Sequence, residues 1–420
     1  MASFLELLLG THELSPNFSL CAWNFESGNV EASYKNGGTC SSKSLCQLSN
    51  DYFLTAEKEK PLIHVWPVNS QEDMKNVRFV LPEPARVVTV DTNSNYLAVG
   101  INVRVYVWHL SSGSLLAVLE KHYQPVTCLK FSNTTEYLVT SGQDGLLITY
   151  KVGNVLNLHN KFVAGQNEPL YTRNDSSSSV VDVHLGNFGH KSRLVSASLD
   201  QTCRVYNLHS GEQLLVLIFS HPLSAVTCDV SFRNLYAGTV NGELSQVHLY
   251  DPPRSFECHV NDVECTSKFV GHTKRVTCLD INVSGDLLAS GSDDGCIILW
   301  KISSRSVLRR IERSGPITNI KFVLYHENFR AQVLRPAVCV KSLCSQLQTD
   351  LNDLKVAYVQ NFDIEFSDEE DNREVEHVQG DYKRELNNLK FVNKQLYNNF
   401  VNVCKKHNKK IVCGAICVSD

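Results

Sequence analysis

LLASGSDDGCIILW, residues 287–300, is the stretch on which the reading of this chain turns. Apolar residues lead into Ser290, a turn of small residues carries Asp293 and Asp294, and an alternating strand ends in Trp300. Two antiparallel strands joined by a tight turn fit that pattern. The period-2 alternation turns one face inward, and glycine and aspartate reverse the chain. The same frame recurs without a gap in YLVTSGQDGLLITY (137–150) and RLVSASLDQTCRVY (193–206). Weaker copies are FLTAEKEKPLIHVW (53–66), NYLAVGINVRVYVW (95–108) and NLYAGTVNGELSQV (234–247). A short β-branched segment precedes most of them: VVTV at Val87, VTCL at Val126, VVDV at Val180, VTCD at Val226 and VTCL at Val276.

The spacing is irregular, roughly 38 to 55 residues, around the ~40–45 expected when each repeat builds one four-stranded propeller blade. GHTKRVTCLDINVSGDLLASGSDDGCIILW, residues 271–300, resembles a near-complete WD repeat. The resemblance implies that His272, Ser290, Asp294 and Trp300 form a buried hydrogen-bonded set. Burial suits such a set, since each polar group then escapes the ~1–3 kcal/mol penalty of an unsatisfied one. By the same alignment His122, Thr140, Asp144 and Tyr150 take these roles in a second blade, with Tyr in place of Trp. Ser196, Asp200 and Tyr206 persist in a third. No histidine joins them, because Gly189-His190 falls just before the strand. Elsewhere the set decays, with Asn102 and Asn241 for Asp, Ala98 and Ala237 for Ser, and Val247 for Trp. Such blades still fold, because packing of sheet faces holds them. Six blades are recognisable between residues 40 and 302. A seventh is composite: residues 317–323 read as its inner strand, and residues 4–9 and 18–23 as strands from the other chain end. The expected fold is therefore all-β, a seven-bladed WD-repeat β-propeller over residues 1–360. Closure by both chain ends leaves no open edge.

Composition narrows the function. Charged residues make up 20% of the 420, and the formal net charge is −4. A chain built mainly for nucleic acid would carry a basic excess, although a local basic patch stays compatible. The 15 cysteines have no zinc-finger spacing and no CxxC. Cys128, Cys228 and Cys278 in VTC triplets read as small buried apolar residues of a reducing compartment. MASFLELLLG lacks a basic start and is interrupted by Glu6, so it reads as a buried strand and not a signal peptide. No apolar run approaches the ~18 residues of a membrane span, and a soluble intracellular protein is expected. No P-loop, GxSxG or HExxH occurs, and His326-Glu327 lacks a second His. Asp293 and Asp294 belong to the repeat turn. No enzyme activity, cofactor or metal is expected.

Residues 154–179 contain the polar stretch NEPLYTRNDSSSS and read as a long loop between blades. Residues 251–268 read as a surface insertion or a partner-binding loop. VKSLCSQLQTDL, residues 340–351, has a helix-forming composition. Residues 361–380 form an acidic linker: FDIEFSDEEDNREVE carries eight acidic residues and one Arg, the composition of a solvated segment. Ser367, ahead of three acidic residues, matches an acidophilic-kinase site. Residues 381–410 read as a C-terminal α-helix. Leu386, Leu389, Asn393, Leu396, Phe400 and Val403 follow the alternating 3-4 spacing of a coiled-coil seam, with Asn393 setting register. The linker separates this helix from the propeller, which favours an oligomerisation segment, a homodimer being simplest, over packing on its own core. Lys405, Lys406, Lys409 and Lys410 read as a nuclear-import signal or a solvated helix end.

The chain resembles the WD-repeat-containing protein eighteen family, whose fungal counterpart is the propeller subunit of the rixosome. The segments that carry this are LCAWNFESGN (20–29), KHYQPVTCLKF (121–131), SASLDQTCRVYNLHSGEQLLVLIF (196–219) and FVGHTKRVTCLDINVSGDLLASGSDD (269–294). The resemblance spans nearly the whole chain and is weakest at residues 154–179 and 330–380. It implies a non-enzymatic scaffold in the nucleus, nucleolus and nucleoplasm. The partners it implies are a helical-repeat scaffold subunit, an armadillo-like subunit, an AAA ATPase remodelling factor, a SUMO protease and the pre-ribosomal large subunit. It implies work in large-subunit maturation and removal of an internal spacer from precursor ribosomal RNA, with links to chromatin silencing and replication licensing. The rival is a substrate receptor of a cullin ubiquitin ligase. Such receptors follow the repeat Trp with Asp and a nearby Arg, whereas here Trp300, Trp108 and Trp66 precede Lys301, His109 and Pro67.

Overall fold

The computed structural model describes residues 6–13, 19–75, 77–156, 167–249, 256–260 and 266–344. The acidic linker, Ser367, the terminal lysines and the whole Leu386, Leu389, Asn393, Leu396, Phe400, Val403 seam lie outside the described residues. Seven antiparallel sheets make seven blades. In each, strand a lines the central channel and strands b, c and d follow outward. Blade 1 starts at Cys46–Leu48, blade 2 at Val87–Val90, blade 3 at Val126–Phe131 and blade 4 at Val180–Leu185. Blade 5 starts at Leu223–Cys228, blade 6 at Val276–Ile281 and blade 7 at Ile317–Leu324. The b–c turns and the links from strand d to the next strand a share one face, here the turn face.

Blade 7 is the composite one. Its strand a is Ile317–Leu324 and its strand b is Glu6–His12, paired antiparallel from Glu6↔Leu324 to His12↔Ile317. Leu20–Asn24 and Val30–Tyr34 complete it. Seven apolar clusters hold the ring, one at every interface between neighbouring blades. Alternation along single strands makes this work. Leu8 faces blade 6 while Leu7 and Leu9 face blade 1, and all three are fully buried.

Several sequence readings change. Blades 3 to 6 share one frame, with strand-b to strand-c pairs such as Leu138↔Tyr150, Leu194↔Tyr206, Leu235↔Val247 and Leu288↔Trp300. Blade 1 pairs Phe53 with Trp66 and blade 2 pairs Leu97 with Trp108. Their b–c turns are therefore one residue longer and one shorter than the gapless windows assume. Val99, not Ala98, stands at the usual Ser position of blade 2. Asn102 occupies a tight turn with φ 51° instead of an Asp position. In blade 5 strand a begins at Leu223, so Cys228 pairs with Leu235 while Ala225 matches Cys128 and Cys278 of other blades. Residues 154–179 are only in part a link between blades: they include the outer strand of blade 3, Tyr171–Arg173, and only residues 174–179 lead on to blade 4. Residues 251–268 lie inside blade 5. There Glu257–His259 adds a fifth, parallel strand to blade 4 beside Gln213–Ile218, and Val260 enters the core between blades 4 and 5. Helix is absent over Val340–Cys344 of the expected helical stretch.

Those last residues form a strap. The chain leaves blade 7, and Asn328 and Ala337 donate to the Asp51 carboxylate of blade 1. Val340 is buried in the core between blades 1 and 2. Farther on, Lys341 and Cys344 donate backbone N–H groups to the Leu110 and Gly113 carbonyls.

Candidate functional site

In blade 6 the repeat residues meet in one relay. The Trp300 indole N–H donates to Ser290 Oγ at 2.8 Å, and Ser290 lies 2.7 Å from His272 Nε2. His272 Nδ1 reaches Asp294 Oδ2 at 3.0 Å. The directions are forced. A carboxylate only accepts, so Nδ1 carries the proton, Nε2 accepts, and the Ser290 hydroxyl donates to it while accepting from Trp300. Burial lowers the His272 pKa against the opposing pull of Asp294, in keeping with a neutral ring. Burial also raises the Asp294 pKa, but N–H groups of Cys296, His272 and Thr273 outweigh it and hold the carboxyl below its ordinary value. Blade 3 repeats the arrangement: His122 Nδ1 lies 3.0 Å from Asp144 and Nε2 lies 2.8 Å from Thr140. Among the described residues no hydrogen bond joins the Tyr150 hydroxyl to Thr140, so this relay ends one member early.

Blade 4 solves the missing histidine differently. Asp200 accepts from Ser177 N at 3.1 Å, as Asp294 accepts from Thr273 N, and pairs with Arg204 at 3.2 Å. The Tyr206 hydroxyl donates to Asp175 at 3.2 Å, and Ser196 hydrogen-bonds to Tyr206. Gly189–Lys191 is a 3₁₀ turn between strands a and b, on the opposite face. In blades 1 and 2 backbone carbonyls replace the serine: Trp66 donates to Lys35 O and Trp108 to Cys344 O. The His, Ser, Thr and Trp members are buried, so these groups hold the blades together.

The channel carries the accessible chemistry. The inner strands VTCLKF, VVDVHL, VTCLDI and ITNIKF place a titratable residue at the same fifth position: Lys130, His184, Asp280 and Lys321. All four line one cavity of about 240 Å³. Lys43, just before strand a of blade 1, crosses it to Asp182 of blade 4 at 2.8 Å and also donates to the Val181 carbonyl. Burial and Lys130 push the His184 pKa down to about 4. Above it, at the turn face, opens a funnel of about 750 Å³ with Lys43, Lys58, Arg86 and Arg275 on its walls and Asp293 as its acid. The sequence signal for this layer was the shared register of the inner strands, which the repeat frame of strands b and c does not include. Among the described residues no cluster of three metal-ligating side chains occurs, and no helix is long and apolar enough to cross a membrane.

Comparison with known proteins agrees with this architecture. The family described as WD domain, G-beta repeat matches residues 113–150 and 263–301. Each match runs from strand d of one blade to strand c of the next. WD repeat-containing protein 18 of Rattus norvegicus is 30% identical over 339 residues, covering 80% of this chain and 78% of that protein. The chain belongs to the WD repeat-containing protein 18 family. The Homo sapiens member is 29% identical over the same length, covering 80% of this chain and 77% of its own. Pre-rRNA-processing protein pro-1 of Caenorhabditis elegans is 24% identical over 315 residues, 74% of this chain and 58% of that protein. Membership accounts for the sequence traits of the propeller. The two profile matches fall where the relays of blades 3 and 6 are fullest, with blades 4 and 5 between them in the chain and blades 1, 2 and 7 outside.

Proposed function

We propose that this propeller is a non-enzymatic scaffold subunit of a nuclear complex that matures the large ribosomal subunit and processes the internal spacer of precursor ribosomal RNA. The observation that carries the reading is family membership across 80% of the chain, together with the similarity to a protein named for pre-rRNA processing. The geometry supports a scaffold: the repeat polar groups bond one another inside the blades, as suits a ring that works through its surface. On this reading the partners are a helical-repeat scaffold subunit, an armadillo-like subunit, an AAA ATPase, a SUMO protease and the pre-ribosomal large subunit, and the sites of action are nucleolus and nucleoplasm. Depletion in cells tests it by hybridisation of precursor RNA. Spacer-containing precursor should accumulate and free large subunits should fall; normal processing after complete depletion removes the assignment.

The homodimer belongs to the same proposal and rests on the seam of residues 386–403. A lone helix would leave that apolar seam in water, and two-fold pairing is the commonest oligomer symmetry. Replacing Leu389→Asp and Leu396→Asp should split a dimer and leave the propeller folded. Light scattering that gives one chain mass for the unaltered protein at micromolar concentration would sink the homodimer.

A further inference from the structure

We infer that the central channel binds a phosphate-class oxyanion between Lys130 and Lys321. The two lysines occupy the same register on the inner strands of blades 3 and 7, so their ammonium groups enter the channel at one level. Lys130 is exposed, yet only to the channel, whose wall surrounds it. Both side chains, with Cys46 and Asp280, line the same cavity.

The remaining charges of the channel are spoken for. Lys43 is bound to Asp182. Asp182 also accepts from Val183 and Val226 backbone N–H groups. Asp280 accepts the Phe322 N–H at 2.7 Å through Oδ2. Among the described residues neither Lys130 nor Lys321 has a hydrogen bond or an ion pair. Once Lys43 and Asp182 cancel, two cations face one carboxylate in an enclosed space. One anion held between the two ammonium groups would gain from both charges in a space away from bulk water.

Size and lining select the ligand class. A cavity of about 240 Å³ admits a tetrahedral oxyanion with its water, not a folded chain. Lysine binds phosphate as a point charge, without the fixed fork that arginine offers a carboxylate. Neither the cavity nor the funnel is lined by Phe, Tyr or Trp, so the ring platforms on which nucleobases stack are missing. The funnel sets the route. Its walls carry Arg86 and Arg275 beside Asp293, with Lys58 paired to Glu13, in a chain whose net charge is −4, and such an excess of basic groups at the mouth draws anions inward.

The test uses the full chain at fixed ionic strength, with chloride exchanged for the probe. Inorganic phosphate and inositol hexakisphosphate are titrated by calorimetry, and the thermal midpoint is followed in parallel. For the unaltered protein the midpoint should rise with the logarithm of probe concentration, as mass action requires. Lys130→Gln and Lys321→Gln should each weaken binding at least tenfold and together abolish it, while Lys301→Gln, on an exposed strand end, should not change it. If the double variant fails to fold, the two single variants decide. Tighter binding of inorganic phosphate identifies the free ion as the source; tighter binding of the polyphosphate shows that the funnel contributes. No binding of either probe, or equal binding by the lysine variants, overturns the inference. The ribosomal reading does not depend on this site, so either can fail alone.

Discussion

Ser290 serves His272 and Trp300, with the Ile298 carbonyl a longer contact at 3.4 Å, where Thr140 serves only His122, and the difference orders two substitutions. Ser290→Ala strips both His272 Nε2 and the Trp300 N–H of their partner inside a fully buried site. At ~1–3 kcal/mol for each unsatisfied group, it should cost more than Thr140→Val, which strands only His122. Asp294→Ala should likewise lower stability by about 1–3 kcal/mol. Asn241→Ala should cost less, because its blade carries Ala237 and Val247 where blade 6 carries Ser290 and Trp300. Equal denaturation midpoints within either pair would contradict the relay. Protons follow the same logic. His184 titrates near pH 4 in the fold against an ordinary 6.5, so between those values the unfolded chain binds more protons than the folded one. Stability should therefore fall as pH drops from 6.5 towards 4, and the lowered His272 pKa acts in the same direction. His184→Gln should flatten that part of a midpoint-versus-pH curve; an unchanged slope would show that the channel histidine is already accessible to protons at little cost.

The elements divide by how much of their pairing is local. Strands b and c are a hairpin with a tight turn, and their residues alone locate them in six of the blades. Even there, the gapless window misplaces blades 1 and 2 by one residue. Turn length is set by backbone geometry such as the left-handed Asn102, and a fixed frame hides it. Strand d of blade 3 is three residues long and pairs on one side only, so nothing in the polar run around Tyr171–Arg173 marks it as a strand. The channel layer lies in the shared register of the inner strands and not in any one of them. The parallel strand Glu257–His259 and the strap to Cys344 are non-local, and nothing in their own residues announces the partner. The strap is testable because its two faces differ. Val340 is 8% exposed in the core between blades 1 and 2, whereas Val333 is 77% exposed. Val340→Asp should destabilise the chain by roughly 2–4 kcal/mol, since a charge would enter an apolar contact without a partner. Val333→Asp should leave the midpoint within about 0.5 kcal/mol of the unaltered protein. A neutral Val340→Asp would mean that the strap rests on blades 1 and 2 without holding them.

At the scale of the whole molecule, stability is cyclic. Every blade buries one sheet face against each neighbour, so no blade completes its core alone. The ring closes where Glu6–His12 slips between Ile317–Leu324 and Leu20–Asn24. That single strand supplies both of its blade's interfaces. Leu8 belongs to the cluster shared with blade 6 and Leu9 to the cluster shared with blade 1. Leu8→Ala and Leu9→Ala each leave a cavity worth about 2–5 kcal/mol. The two cavities open on opposite faces of the sheet, one in each cluster. If closure makes the ring one cooperative body, each variant and the pair should still melt in a single calorimetric transition, moved downward as a unit. A second, earlier transition in the Leu9→Ala protein would show blades 7 and 1 separating while the rest stays folded. The propeller would then behave as an open array of blades, not as a closed ring.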